Sequence, residues 1–95
     1  MTGPLERLRK ARPDELIPYD DVLAELRSHP ELTEQKTVGT FHRGSRTFLH
    51  FHSDGTEVVA DVKVDGEWER IVVSDGGVAR LLKRVDVALG GGHDD

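Results

Sequence analysis

The chain contains no cysteine. That excludes a disulfide framework, a thiolate nucleophile and a cysteine-based zinc site. No apolar run approaches the ~18 residues that would cross a membrane. The opening Met1-Thr2-Gly3-Pro4-Leu5-Glu6-Arg7 lacks the apolar stretch of a signal peptide. Together these predict a cytoplasmic protein without a membrane segment. Positive charge is also in deficit. With 13 basic against 18 acidic residues the net charge is −5, which argues against a general nucleic-acid binder. There is no Gly-x-Ser-x-Gly elbow, no P-loop lysine and no Gly-x-Gly-x-x-Gly. Ser45, Ser53 and Ser74 fall at turns or caps, where serine serves local hydrogen bonding.

What remains is one small domain over residues 1–95, with residues 1–13 and 90–95 expected as flexible ends. Apolar residues make up 36% and charged residues 33%, so the core must be modest. Their patterning still argues for a folded chain. The charge is uneven. Arg7, Arg9, Lys10 and Arg12 form a basic segment that reads as a solvated turn or, alternatively, as a phosphate-contacting arm.

Leu5, Leu8 and Ala11 are spaced for one short helix ending before Pro13. Asp20 is placed to cap a second helix carrying Val22, Leu23 and Leu26, which Pro30 ends. Residues 30–35 read as loop with Leu32 as an anchor. From Lys36 to Ser74 the apolar period becomes two. Gly44-Ser45, Asp54-Gly55 and Asp65-Gly66 divide this region into strands 36–43, 46–52, 57–64 and 67–73, a four-stranded antiparallel meander. Val78, Leu81, Leu82, Val85 and Leu89 then mark an amphipathic helix, with Ser74 or Asp75 as its cap and Gly90 at its end. The predicted fold is α+β: N-terminal helix or helices, the four-stranded meander, and a long C-terminal helix packed on the sheet.

Two-residue turns would set His52 opposite Glu57, His50 opposite Val59, Phe48 opposite Asp61 and Phe41 opposite Phe48. Val38, Thr40, Thr47, Leu49, Phe51, Val58, Ala60, Val62 and Val64 then share the core face. Phe41, Phe48, His50, His52, Glu57, Val59, Asp61 and Lys63 share the other. In the last strand either Ile71 and Val73 or Trp68 and Val72 face the core. A one-residue bulge would flip part of this assignment.

The second face carries the candidate chemistry. Two imidazoles two apart on a strand point the same way. His50 and His52 with Glu57 across the strand pair would make a two-histidine, one-carboxylate set for a divalent transition metal such as zinc, iron or nickel. Asp61 and His42 would support them. The competing reading is an ordinary exposed strand face, with no cofactor. The same face carries Phe41, Phe48, Val59, Trp68 and Arg70, too apolar for an open surface and suited to an interface or a ligand groove.

The residues Gly44, His50, His52 and Glu57 have the spacing of the first cupin motif, and the segment resembles that family over about a quarter of the chain. The resemblance implies metal binding by His50, His52 and Glu57. The chain departs from the family where the motif's closing glycine would fall, at Val64, and it lacks the second motif with its downstream histidine. The segment Leu49-His50-Phe51-His52-Ser53-Asp54-Gly55-Thr56 is similar to a hairpin of the sponge-type luciferase-like domain, which implies an α+β domain. The function expected first is a non-enzymatic interaction module forming a homodimer, or meeting a protein partner, through the second face. A metal-binding protein or small metal-dependent enzyme is the alternative, and a small-ligand binder the third.

Overall fold

A computed structural model describes residues 8–90. It is α+β, with an antiparallel sheet of six strands rather than four. In chain order these are β1 (Arg9–Lys10), β2 (Leu32–Glu34), β3 (Phe41–Arg43), β4 (Arg46–Ser53), β5 (Val58–Val64) and β6 (Glu67–Val72). The helices are α1 (Asp20–Arg27) and α2 (Val78–Ala88). The sheet runs β2-β3-β4-β5-β6. Strand β1 lies on the β3 side of β4, beyond the end of β3, with Arg9 opposite Ser53 and Lys10 opposite His52. No described helix is long and apolar enough to cross a membrane.

Two sequence expectations change near the N-terminus. The helix expected over Leu5, Leu8 and Ala11 is replaced at Arg9–Lys10 by strand β1, and the Ala11 N–H donates to the Phe51 carbonyl at 3.1 Å. Leu5 and the rest of residues 1–7 lie outside the described residues, as does the expected tail over 91–95. Within the end expected as flexible through residue 13, residues 9–11 pair with β4. Pro13 then opens a 3-10 helix over Pro13–Tyr19 that runs into α1. Proline fits a first helical position because it lacks the N–H that would be left over there. The Arg12 N–H donates to the Glu15 carboxylate at 2.9 Å, closing the turn.

The strand expected over 36–43 is split. Gly39 has φ 85°, a conformation that side chains with a Cβ rarely adopt, and a Cβ there would meet Leu16 Cδ1 at 2.8 Å. The chain turns at Gly39, and Leu32–Glu34, expected as loop, pairs with β3 instead. Leu32 is buried, as an anchor should be. The β5–β6 hairpin is the two-residue Asp65-Gly66 turn, with φ 53° and 82° at its two positions. That pairing sets Ile71 opposite Ala60 on the core face and Trp68 opposite Lys63 on the other. Ile71 and Val73 are buried and Trp68 is exposed.

One register irregularity moves two aromatics. Between β3 and β4, Arg43 pairs with Arg46 and His42 with Thr47, but Phe41 pairs with Leu49 and skips Phe48. The bulge turns both Phe48 and Leu49 toward the core, and Phe41 follows its partner. Phe41 is fully buried and Phe48 nearly so. Both belong to the core and not, as expected, to the second face. Thr47 makes the opposite move and meets His42 on the histidine face.

The core lies on one side of the sheet. Leu49, Phe51, Val58, Ala60, Val62, Val64 and Ile71 from the strands meet Leu16, Val22, Leu23, Leu26, Leu81 and Val85 from the helical segments. Leu81 and Val85 are fully buried, whereas Leu82 sits at the edge of the helix face and is half-buried. Helix α2 starts after Gly77 with no side-chain cap. Ser74, expected as that cap, binds elsewhere: its Oγ accepts the Val58 N–H at 2.9 Å. His29, just after α1, lies 3.9 Å from Asp86 of α2, so both helices occupy the same layer. The described residues form two layers, and no described helix covers the second face of the sheet.

Candidate metal centre

Strand β4 presents His50 and His52 on that second face because they alternate with Leu49, Phe51 and Ser53, all buried on the other. The turn into β5 decides what stands opposite. Asp54 Oδ1 accepts the N–H groups of Thr56 and Glu57 at 2.7 and 2.6 Å, and the Asp54 N–H donates to the Glu57 carbonyl. This closed turn takes four residues where two were expected. Every cross-strand pair therefore slides by two. His52 faces Val59 and His50 faces Asp61. Since the side-chain period is also two, the faces are preserved and only the partners change.

The carboxylate beside the histidines is thus Asp61, expected only in a supporting role. Glu57, expected as the ligand, instead accepts a hydrogen bond from Ser74 Oγ at 2.6 Å. His42 lies on the same face but its Nε2 is 3.2 Å from Thr47 Oγ1, so it lines the neighbouring groove rather than the cluster. Val59 is fully buried between His52 and Val72 in register, and Trp68 and Arg70 stand on β6 beside His50 and Asp61. Of the apolar residues expected to form an interface here, Phe41, Phe48 and Val59 are all buried within the chain. Trp68 alone remains exposed, at 47%.

The geometry at the centre is tight. His50 Nδ1 and His52 Nδ1 are 3.2 Å apart, His52 Nδ1 is 3.1 Å from Asp61 Oδ2, and His50 Nδ1 is 3.8 Å from the same oxygen. The two imidazoles meet edge to face, with ring centroids 4.6 Å apart. Room exists for one hydrogen between the Nδ1 atoms. If His52 carries it toward Asp61, His50 Nδ1 presents a lone pair to the same gap. Three atoms so spaced have a common point about 2 Å from each, which is the length of a zinc bond to imidazole nitrogen or carboxylate oxygen. The His50, His52 and Asp61 group could hold a metal ion.

The electrostatics are mixed. Arg70 grips Asp61 with two bonds, Nε to Oδ1 at 2.8 Å and Nη2 to Oδ2 at 3.1 Å. This fixes the carboxylate plane and turns Oδ2 toward the histidines, the kind of orienting contact that metal ligands receive. It also adds a positive charge that opposes a cation. Burial pushes the Asp61 carboxyl up, but the hydrogen bonds and charge of Arg70, with the two histidines, outweigh it and hold the group below its ordinary value. Burial, followed by repulsion from His52, pushes His50 below the usual imidazole value, against the pull of Asp61. A neutral imidazole is the form that binds a metal.

In the sequence Lys10 belongs to the basic N-terminal segment, a solvated turn or a phosphate-contacting arm, and is not placed with the histidines. The β1–β4 pairing brings it next to His52. No sequence pattern announces a two-residue strand. Arg9 and Glu15 hold it there, with bonds of 2.7 and 2.8 Å, and Ser53 Oγ donates to Glu15 at 3.0 Å. Comparison with family models, with curated proteins and with solved structures finds no match to this chain. The site therefore stands on its own geometry.

Proposed function

We propose that the protein binds a divalent transition metal, zinc, nickel or ferrous iron, through His50 Nδ1, His52 Nδ1 and Asp61 Oδ2. The observation that carries this reading is the close grouping of three possible ligand atoms, 3.1 to 3.8 Å apart, around a point at bonding distance from each. Three protein ligands leave a further coordination position open, the pattern of sites that take up an exchangeable ligand rather than of closed structural sites. The hairpin supplies two ligands from β4 and one from β5, and Arg70 of β6 orients the third.

Self-association through this face loses its main support, because Phe41, Phe48 and Val59 are buried within the chain. The test is calorimetric titration of zinc and nickel, with melting curves at each metal level. One ion per chain and a rise in melting temperature are expected, since a ligand that prefers the native state stabilises it by mass action. Asp61→Asn keeps the shape and removes the charge. It should lower zinc affinity by about 10- to 100-fold, roughly 1.4 to 2.8 kcal/mol. A wild type whose melting curve ignores both metals overturns the reading.

A further inference from the structure

Beside the two histidines lies an open groove of about 610 Å³, lined by Lys10, Lys36, His42, Thr47 and Trp68 among others, with no Asp or Glu in its lining. That volume suits a small molecule. The absence of acids is telling in a chain with 18 acidic against 13 basic residues. Lys10 comes from β1 and is the register partner of His52, while Lys36 comes from the loop between β2 and β3. Both are exposed and neither makes a side-chain hydrogen bond or ion pair to a described residue. The threonine hydroxyls add neutral donors.

Trp68 is the only tryptophan of the chain. It is partly exposed at the rim of the groove and is held in place by its neighbours. His50 packs against it with ring centroids 4.9 Å apart, and Lys63 Nζ lies 5.6 Å from its centroid. Its exposed surface is a platform on which a flat ring can stack.

We propose that this groove binds a small planar aromatic anion: a ring, carrying a carboxylate or phosphate group, that stacks on Trp68 while the anionic group meets Lys10 and Lys36. The anion also takes the open metal position, and that one contact rests on the metal reading above. The charge of the lysines selects an anion, and the indole selects a ring.

The test titrates the zinc-loaded full chain with benzoate, phenyl phosphate, benzamide and cyclohexanecarboxylate, read by calorimetry and by Trp68 fluorescence. Benzoate or phenyl phosphate should quench Trp68 and bind about tenfold tighter than benzamide, the difference expected of charged hydrogen bonds. Whichever binds tighter tells carboxylate from phosphate. Cyclohexanecarboxylate should bind more weakly than benzoate. The double variant Lys10→Gln, Lys36→Gln should narrow the preference for the anion, leaving only the part due to the zinc, and keep its zinc affinity. Equal binding of benzoate and benzamide, or an unchanged preference in the double variant, overturns the proposal. Failure of the metal reading shows separately, as no uptake of zinc. In that case the metal-free protein is titrated the same way, and the lysine-dependent preference should persist at lower affinity; its absence overturns the proposal there too.

Discussion

Leu49 and His50 are neighbours in the chain and face opposite ways. The same holds for Ala60 and Asp61 across the hairpin. One face of β4 and β5 buries Leu49, Phe51, Ala60 and Val62 beneath two helices. The other gathers His50, His52, Asp61, Arg70 and Trp68, with none of the described helices over it. The backbone is common to both, so the contrast is one of side chains alone. The covered face is held by packing, where each lost methylene is felt. The open face is held by a few directional bonds around one carboxylate, and it can be rewritten without rebuilding the sheet.

The sharpest way to break the comparison is to hollow the covered face. Phe41 is fully buried and stands opposite Leu49. Phe41→Ala should cost about 3 to 5 kcal/mol, the range for emptying an aromatic from a core. Urea denaturation reads it, and a loss below about 1 kcal/mol would mean that the bulge does not carry Phe41 into the core. Leu81→Ala should follow at about 2 to 4 kcal/mol, with half-buried Leu82→Ala costing less.

Face assignment was legible in the sequence because it needs only parity. Phe51, Val62 and Val64 alternate with polar neighbours, Leu49, Val58 and Ala60 keep the same parity beside Phe48 and Val59, and all six are buried. Partner assignment needs loop length, which parity does not carry. Asp54 closes a four-residue turn through its side chain. A slip of two set Asp61 opposite His50 and left Glu57 in the turn, bonded to Ser74. The bulge at Phe48 is different in kind. It adds one residue on one strand, so it inverts parity locally and carried Phe41, Phe48 and Thr47 to unexpected faces. Helix α2 was legible because five apolar residues repeat at helical spacing. Strand β1 was not, because two residues hold no period, and its position comes from Glu15 and Ser53.

The open face should respond in the opposite way to the covered one. Replacing His50 and His52 together by Gln leaves Asp61 still bonded to Arg70. In metal-free buffer the double variant should lie within about 1 kcal/mol of wild type, since partly exposed polar contacts contribute little. Added zinc should then raise the melting temperature of the wild type and not of the variant. A large loss of stability without metal would show that the histidines serve the fold, and the two faces would no longer differ in kind.

The smallest expected effect lies where the faces meet, at β1. The Glu15 carboxyl is held at about 2, first by the hydrogen bonds of Arg9, then by that of the Arg12 N–H, with Ser53 adding a further bond. An unfolded glutamate titrates near 4.3. A carboxyl depressed in the folded state binds its proton more weakly there, so protons favour the unfolded chain. The stabilisation from Glu15 is therefore complete above about pH 5 and falls as the pH drops from there toward 2. Glu15→Gln removes the titration and keeps an amide that can still accept a bond. Other carboxyls, Asp61 and Glu34 among them, are also depressed, so both proteins will lose stability in acid. The difference between them isolates Glu15: it should be constant from pH 5 to 7 and shrink steadily below. Lys10 travels with this strand, so the same variant should weaken binding of a benzoate probe at pH 7 by loosening the edge of the groove. A difference between the two proteins that does not change between pH 5 and 2 would show that Glu15 does not hold β1 against β4.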